Sequence, residues 1–203
     1  VTLPFNHRLW FIRHGETDYN REGRLQGQQD TPLNPKGREQ ASAVGRALRK
    51  LAGAELAALD AASAFVCSPF ERTRRTMELA RAAMGFDPLA YALDDRMKEL
   101  TFGEWEGFTW PEIEARDPAG AAARAADKWV FTPPDGESYA ALVRRITPWV
   151  QTIDRDLFVT SHGGVARALM YLIAGVTPER AAEVHIQQGR AILFEGGRFE
   201  WVG

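Results

Sequence analysis

The chain has 203 residues, 45% of them hydrophobic and 26% charged, and its 25 basic and 27 acidic side chains leave a formal net charge of −2. That length suits one substantial core, alone or with a small accessory subdomain, and the near-neutral balance offers nothing to nucleic acid or an anionic membrane, so any anion site must be local. No apolar run approaches the roughly 20 residues needed to span a bilayer, and the start VTLPFNHRLW lacks the basic-then-apolar order of a secretory signal; a soluble, cytoplasmic protein forming one domain over residues 1–203 is expected.

The first apolar run, LWFI at 9 to 12, is bounded by polar residues and reads as a buried strand ending in Arg13-His14-Gly15. Alone, that pair would be an ordinary strand end reaching solvent; as a functional site it needs partners elsewhere in the chain. From Pro35 to Leu51, Val44, Ala47, Leu48 and Leu51 recur at helical spacing, with Asn34 as N-cap and Pro35 at the first helical position. A second strand, AFVC at 64 to 67, runs into SPFERTRRTMELARAAMG. There Ser68, Pro69 and Glu71 read as a capping box and Gly85 as the stop, placing Arg72 in the first helical turn. A Cys-x5-Arg phosphatase would need arginine at position 73, but Thr73 stands there, so Cys67 reads as a small buried hydrophobe.

Residues 86 to 136, rich in Trp, Pro, Gly and Ala with short helical pieces such as WPEIEAR, break the alternation of strand and helix and read as a lid or substrate-binding insert. Trp105, Trp110, Trp129, Phe102 and Phe108 either line a pocket there or pack the insert onto the sheet. From Ser138 to Ile153, Leu142, Val143, Ile146, Val150 and Ile153 form another stripe, which Pro148 should kink or divide; Glu137 and Ser138 are assigned to helix initiation. The third strand, LFVT at 157 to 160, leads through Ser161-His162-Gly163-Gly164 into an apolar helix from Val165 to Ala174. AILFEGGRFEWV closes the pattern as two short strands around Gly196-Gly197. The order predicts an α/β fold, a three-layer sandwich with a mainly parallel central sheet and a mid-chain insert.

In such sheets ligands collect beyond the carboxyl ends of the strands. Two arginines, two histidines, glycines that permit close approach and a helix N-terminus are the components of a phosphoryl site: the arginine fork matches phosphate oxygens, and a neutral imidazole nitrogen can attack phosphorus. The four histidines, His7, His14, His162 and His185, lack the spacing of a zinc motif, and neither a metal nor another cofactor is expected. An acid for the leaving group lies among Asp94, Asp95, Glu99, Glu104 and Glu106 of DDRMKELTFGEWEG, and composition alone does not choose.

Taken together, RHGET with Asn20 six residues after His14, LQGQQDTPLNPKGREQA, SPFERTRRT, KELTFGEWEG, PDGES and TSHGGVARAL resemble, in order, the segments of the histidine phosphatase superfamily, the phosphoglycerate mutase-like proteins. The resemblance implies transient phosphorylation of His14, with Arg13, Arg72 and His162 completing the phosphate pocket and Glu99 as the acid. It also implies that Asn20, the backbone near Gln26 and Gly27, and Gly163 contact the phosphate or the rest of the substrate, with Thr17 as an additional hydroxyl ligand. The expected activity is that of a metal-independent phosphomonoesterase on small phosphorylated metabolites, in the cofactor-independent phosphatase branch. The alternatives are a cofactor-dependent phosphoglycerate mutase on the same site and a weakly active module that binds a phosphorylated ligand or a protein. The short span from Glu99 to His162 favours the phosphatase, because family members that act as mutases usually carry a longer insert there.

Overall fold

The computed structural model describes residues 2–59 and 64–203. Six strands, β1 (Leu9–Arg13), β2 (Phe65–Cys67), β3 (Ala92–Leu93), β4 (Leu157–Ser161), β5 (Ala191–Glu195) and β6 (Arg198–Val202), form one sheet in the order β3-β2-β4-β1-β5-β6. The pairs β3–β2, β2–β4 and β4–β1 are parallel, while β5 and β6 add an antiparallel edge. The three apolar runs are buried along their length, as strands covered on both faces by helices must be. Phe65 stacks on Phe158 at 5.1 Å across β2 and β4, in the middle of the core.

The helices are α1 (Asp18–Glu22), α2 (Pro35–Ala58), α3 (Glu71–Met84), α4 (Trp110–Arg116), α5 (Pro118–Ala126), α6 (Tyr139–Gln151), α7 (Gly163–Ala174) and α8 (Pro178–Glu183). They pack in two groups, α2 with α3, and α6 and α8 with α7, giving the expected layered α/β sandwich. None among the described residues is long and apolar enough to cross a membrane. Asn34 caps α2 as expected, its side chain accepting from Gly37 N at 2.8 Å. The helix outruns its predicted end at Leu51, because after a non-helical residue at Ala52 (φ −137°, ψ 25°) the buried face resumes with Leu56.

Three further expectations are corrected. Ser68 is not the cap of α3. Phe70 holds that position, and the free N–H of Glu71 donates to Asp30 Oδ2 at 2.5 Å, from a carboxylate some forty residues upstream. Pro148 does not divide α6; it stands in the last turn of a helix that continues to Gln151, and next to it Thr147 Oγ1 donates to the Val143 carbonyl at 2.8 Å. The insert is not wholly an excursion, since β3 pairs Ala92 and Leu93 with Val66 and Cys67. Two exposed residues give no alternation by which sequence could announce that edge strand. The insert's aromatics mostly pack: Trp105 stacks on Phe131 at 5.2 Å, and Trp129 on Tyr139 at 5.4 Å, tying the insert to α6.

Candidate active site

Strands β1 and β4 run side by side with Arg13 opposite Ser161, so His14 and His162 leave the sheet at the same level. Their rings lie 5.2 Å apart, edge to face. His14 N donates to the Ser161 carbonyl at 2.9 Å, and His14 Nδ1 lies 2.8 Å from the Gly15 carbonyl. A carbonyl only accepts, so Nδ1 carries the proton and Nε2 keeps its lone pair. Burial, reinforced by Arg72 and Arg13, holds the His14 pKa well below the usual histidine range, leaving a neutral imidazole at neutral pH. The glycine that follows answers a packing demand. A Cβ on Gly15 would run into the Gly37 carbonyl, and one on Gly37 into the backbone of Glu16, so the turn after β1 and the first turn of α2 interlock backbone to backbone.

Arg72 is 1% exposed and spans three acceptors: Nη1 donates to Gln29 O (2.8 Å) and Asp30 Oδ1 (3.2 Å), Nη2 to Gly27 O (2.6 Å). Arg13 donates from Nη1 to Ile186 O at 2.9 Å. Burial, with Arg167 close by, lowers its pKa to about 10, so it stays charged at neutral pH. Ser68, freed from capping, places its hydroxyl 2.8 Å from His162 Nε2. His162 is fully buried, and burial backed by Arg72, His14 and Arg13 pushes its pKa well below the usual range. Its Nδ1, Arg13 Nε and Arg72 Nε are buried and find no hydrogen-bond partner among the described residues. Leaving such groups unpaired costs about 1 to 3 kcal/mol each, and more where they are charged. That cost is understandable where the groups surround an anion site.

Glu99 stands at the N-terminus of α7, Oε2 accepting from Gly164 N and Oε1 from Leu100 N, each at 3.0 Å. Gly164 has no room for a Cβ because the Glu99 carboxylate occupies the space. The loop beneath is clamped from α6 and β4. Arg145 Nη1 donates to the carbonyls of Arg96 (2.6 Å) and Lys98 (3.0 Å), Glu137 grips the same guanidinium at 2.7 and 3.1 Å, and Ser161 Oγ donates to Met97 O at 2.7 Å. The other acids are spent elsewhere. Glu106 accepts from the amides of Gln28, Gln29 and Phe102, Asp94 pairs with Arg96, Asp95 pairs with Lys98, and Glu104 is exposed outside the cavity wall.

The histidine end of the sheet opens into a cavity of about 160 Å³, in whose wall Glu99 is the sole carboxylate among the described residues. Arg13, His14, Asn20, Gln26, Gly27, Arg72 and Gly163 line it as the sequence led one to expect. Thr17 and His162 do not: His162 lies buried behind the wall against His14 and Ser68, and the Thr17 hydroxyl accepts from Asn20 N at 3.2 Å as the cap of α1 and donates to Gln26 Oε1 at 3.1 Å, supporting two lining residues from behind. Of the insert's aromatics only Phe102 reaches the wall. Arg24, Leu25 and Arg167 also line it; Leu25 and Arg167 lie within the segments LQGQQDTPLNPKGREQA and TSHGGVARAL but were given no role, and Arg24 lies just outside them.

The model of the histidine phosphatase superfamily (branch 1) matches residues 9–202. A glucosyl-3-phosphoglycerate phosphatase of Mycolicibacterium vanbaalenii is 31% identical over 83% of this chain and 75% of its own. An adenosylcobalamin/alpha-ribazole phosphatase of Salmonella typhimurium is 30% identical over 90% of this chain and 87% of its own. In three dimensions the alpha-ribazole phosphatase of Shigella flexneri superposes with a TM-score of 0.77, covering 95% of this chain and 93% of that one at 24% identity, a likeness of fold.

Proposed function

This chain belongs to the histidine phosphatase superfamily and is a phosphatase of that family; from that premise we propose that it hydrolyses small phosphomonoesters through a phosphohistidine on His14. One observation carries the reading: His14, whose Nε2 keeps its lone pair, shares this end of the sheet with three buried nitrogens, Arg13 Nε, Arg72 Nε and His162 Nδ1, that have no hydrogen-bond partner among the described residues. Such a set matches the equatorial oxygens of a phosphoryl group in transfer.

His14 Nε2 attacks phosphorus in line as the ester P–O bond breaks, and Glu99 delivers a proton to the departing oxygen. The arginines hold the equatorial charge. The dianionic phosphoryl group draws a proton onto His162, which Ser68 Oγ can follow by turning from donor to acceptor. Water then attacks the phosphohistidine, its proton passes to the Glu99 carboxylate, and His14 and inorganic phosphate are released. Charge neutralisation falls to Arg13 and Arg72, so no metal is required for either step. The named activities of the relatives support water, rather than a second sugar acid, as the acceptor.

Rapid quench with a 32P-labelled ester should trap an acid-labile, base-stable adduct on His14, and turnover should be unaffected by a chelator. Loss of turnover on chelation, or a stable adduct elsewhere than His14, would overturn the mechanism.

A further inference from the structure

The segment between α8 and β5 belongs to none of the motifs, yet it backs the cavity wall at alternate residues. Val184 O accepts from Arg167 Nε at 3.1 Å, Ile186 O accepts from Arg13 Nη1 at 2.9 Å, and the Gln188 side chain reaches both His14 and Asn20. A spacing of two is the period of extended chain, in which every second residue serves the same side. Gln188 stands behind the wall rather than in it.

The nitrogen of the Gln188 carboxamide is fully committed. Nε2 donates to the His14 carbonyl at 3.1 Å and to Asn20 Oδ1 at 2.9 Å, one hydrogen to each. These contacts fix which end of each amide is which, a matter that shape alone leaves open. A carbonyl only accepts, so the Gln188 atom facing His14 O is the nitrogen. The Thr17 amide only donates, and it lies 3.3 Å from the same Asn20 atom, which is therefore the oxygen. Two donors thus hold Asn20 Oδ1. The NH2 end of this cavity-lining residue keeps one long contact among the described residues, to Gln26 Oε1 at 3.5 Å. Turned over, Asn20 would set N–H against N–H at both locks and bring its oxygen round in place of a donor.

On the mechanism given above, we propose that Gln188 is a positioning residue for phosphoryl transfer: it ties the peptide of the nucleophile to Asn20 and keeps the Asn20 NH2 group available to the phosphoryl oxygens. A donor set in place beforehand stabilises the charge of the transition state, whereas an oxygen there would repel it. Thr17 supplies half of the lock from the backbone, and the other half rests on one side chain. Gln188 itself touches neither the ester nor the phosphate.

The test is a double-mutant cycle between Gln188 and Asn20, read in the rate constant for phosphorylation of His14 by saturating p-nitrophenyl phosphate. That constant does not depend on how much of a preparation folds. Gln188→Met keeps the length and removes both donors; it should slow phosphorylation by about 10-fold, through kcat more than KM. Asn20→Ala should slow it by about 10 to 100-fold, and adding Gln188→Met to Asn20→Ala should then cost less than about 2-fold. Gln188→Leu removes the same donors with a different apolar shape and should repeat the result. A native rate constant in Gln188→Met and Gln188→Leu, or losses that multiply in the double variant, overturns the positioning role. If phospho-His14 forms in the native enzyme in that event, the phosphatase mechanism stands and only this role falls. If the native enzyme forms no adduct on His14, both fall.

Discussion

His14 and His162 sit on the ends of two neighbouring parallel strands, held by side chains buried with them, whereas Glu99, across the cavity, stands on a loop of the insert clamped by Arg145, Glu137 and Ser161. The first half belongs to the core, and moving it means moving the sheet. The second half is fastened to the core by a few hydrogen bonds, and in the proposed mechanism it is the half that meets the leaving group. On that mechanism the phosphate chemistry rests on the core, and its acid rests on a region that can change without disturbing the sheet.

The largest effect should come from the core half. His14→Ala should lower turnover by at least about 10⁴-fold with the fold retained by circular dichroism, and no phosphoenzyme should form. Glu99→Gln tests the other half. Phosphorylation of His14 by alkyl phosphates should slow by about 10² to 10⁴-fold and by aryl phosphates much less, because a phenolate leaves without a proton. Presteady-state measurement of that first step is required, since dephosphorylation slows as well. Equal losses for both esters would move the acid elsewhere and break the contrast between the two halves.

A gentler test leaves the acid in place and loosens its support. Arg145→Ala removes both carbonyl contacts beneath Glu99, and alkyl phosphate turnover should fall by about 10 to 100-fold, again with aryl esters spared. If both esters suffer alike, the clamp serves folding and does not position the acid.

The smallest effect reads the core half through pH. Both histidines have folded-state pKa values depressed below the unfolded value of about 6.5, so the stability they retain is fully present above that pH and is lost as pH falls below it. The denaturant midpoint should drop on acidification from pH 7 to 5, with a slope of up to about 1.4 kcal/mol per pH unit for each histidine. His162→Asn should flatten it. A midpoint indifferent to pH in this window would mean that the histidines are not buried neutral.

How much of this the sequence announced follows the same division. Arg13, His14, Arg72, His162 and Gly163 sit at fixed offsets from strands and helix starts, and those offsets are local properties that a motif records. Ser68 was misread because Ser-Pro-x-Glu looks like a capping box; the true acceptor, Asp30, reaches α3 from a distant loop, and the serine is released to His162. Glu137 in PDGES seemed only to start a helix, since its partner Arg145 and the carbonyls that Arg145 holds come together through tertiary packing. Arg24, Leu25 and Arg167 were given no role for the same reason, although the last two fall inside quoted segments: the wall of a cavity is set by which elements meet across it.

The interlock of Gly15 with Gly37 bears on time as well as on shape. The backbone that carries the nucleophile is pinned on all sides: the His14 amide donates to Ser161 O at 2.9 Å, the Gly15 amide to Thr76 Oγ1 at 3.0 Å, and α2 closes against it without an intervening side chain. Amides in such a setting open to solvent only when the central sheet itself comes apart. In deuterium exchange the His14 and Gly15 amides should therefore be among the last to label, a slowness normally found in structural cores and seldom at a reactive centre. On the proposed mechanism, each catalytic cycle then leaves His14 where the sheet holds it.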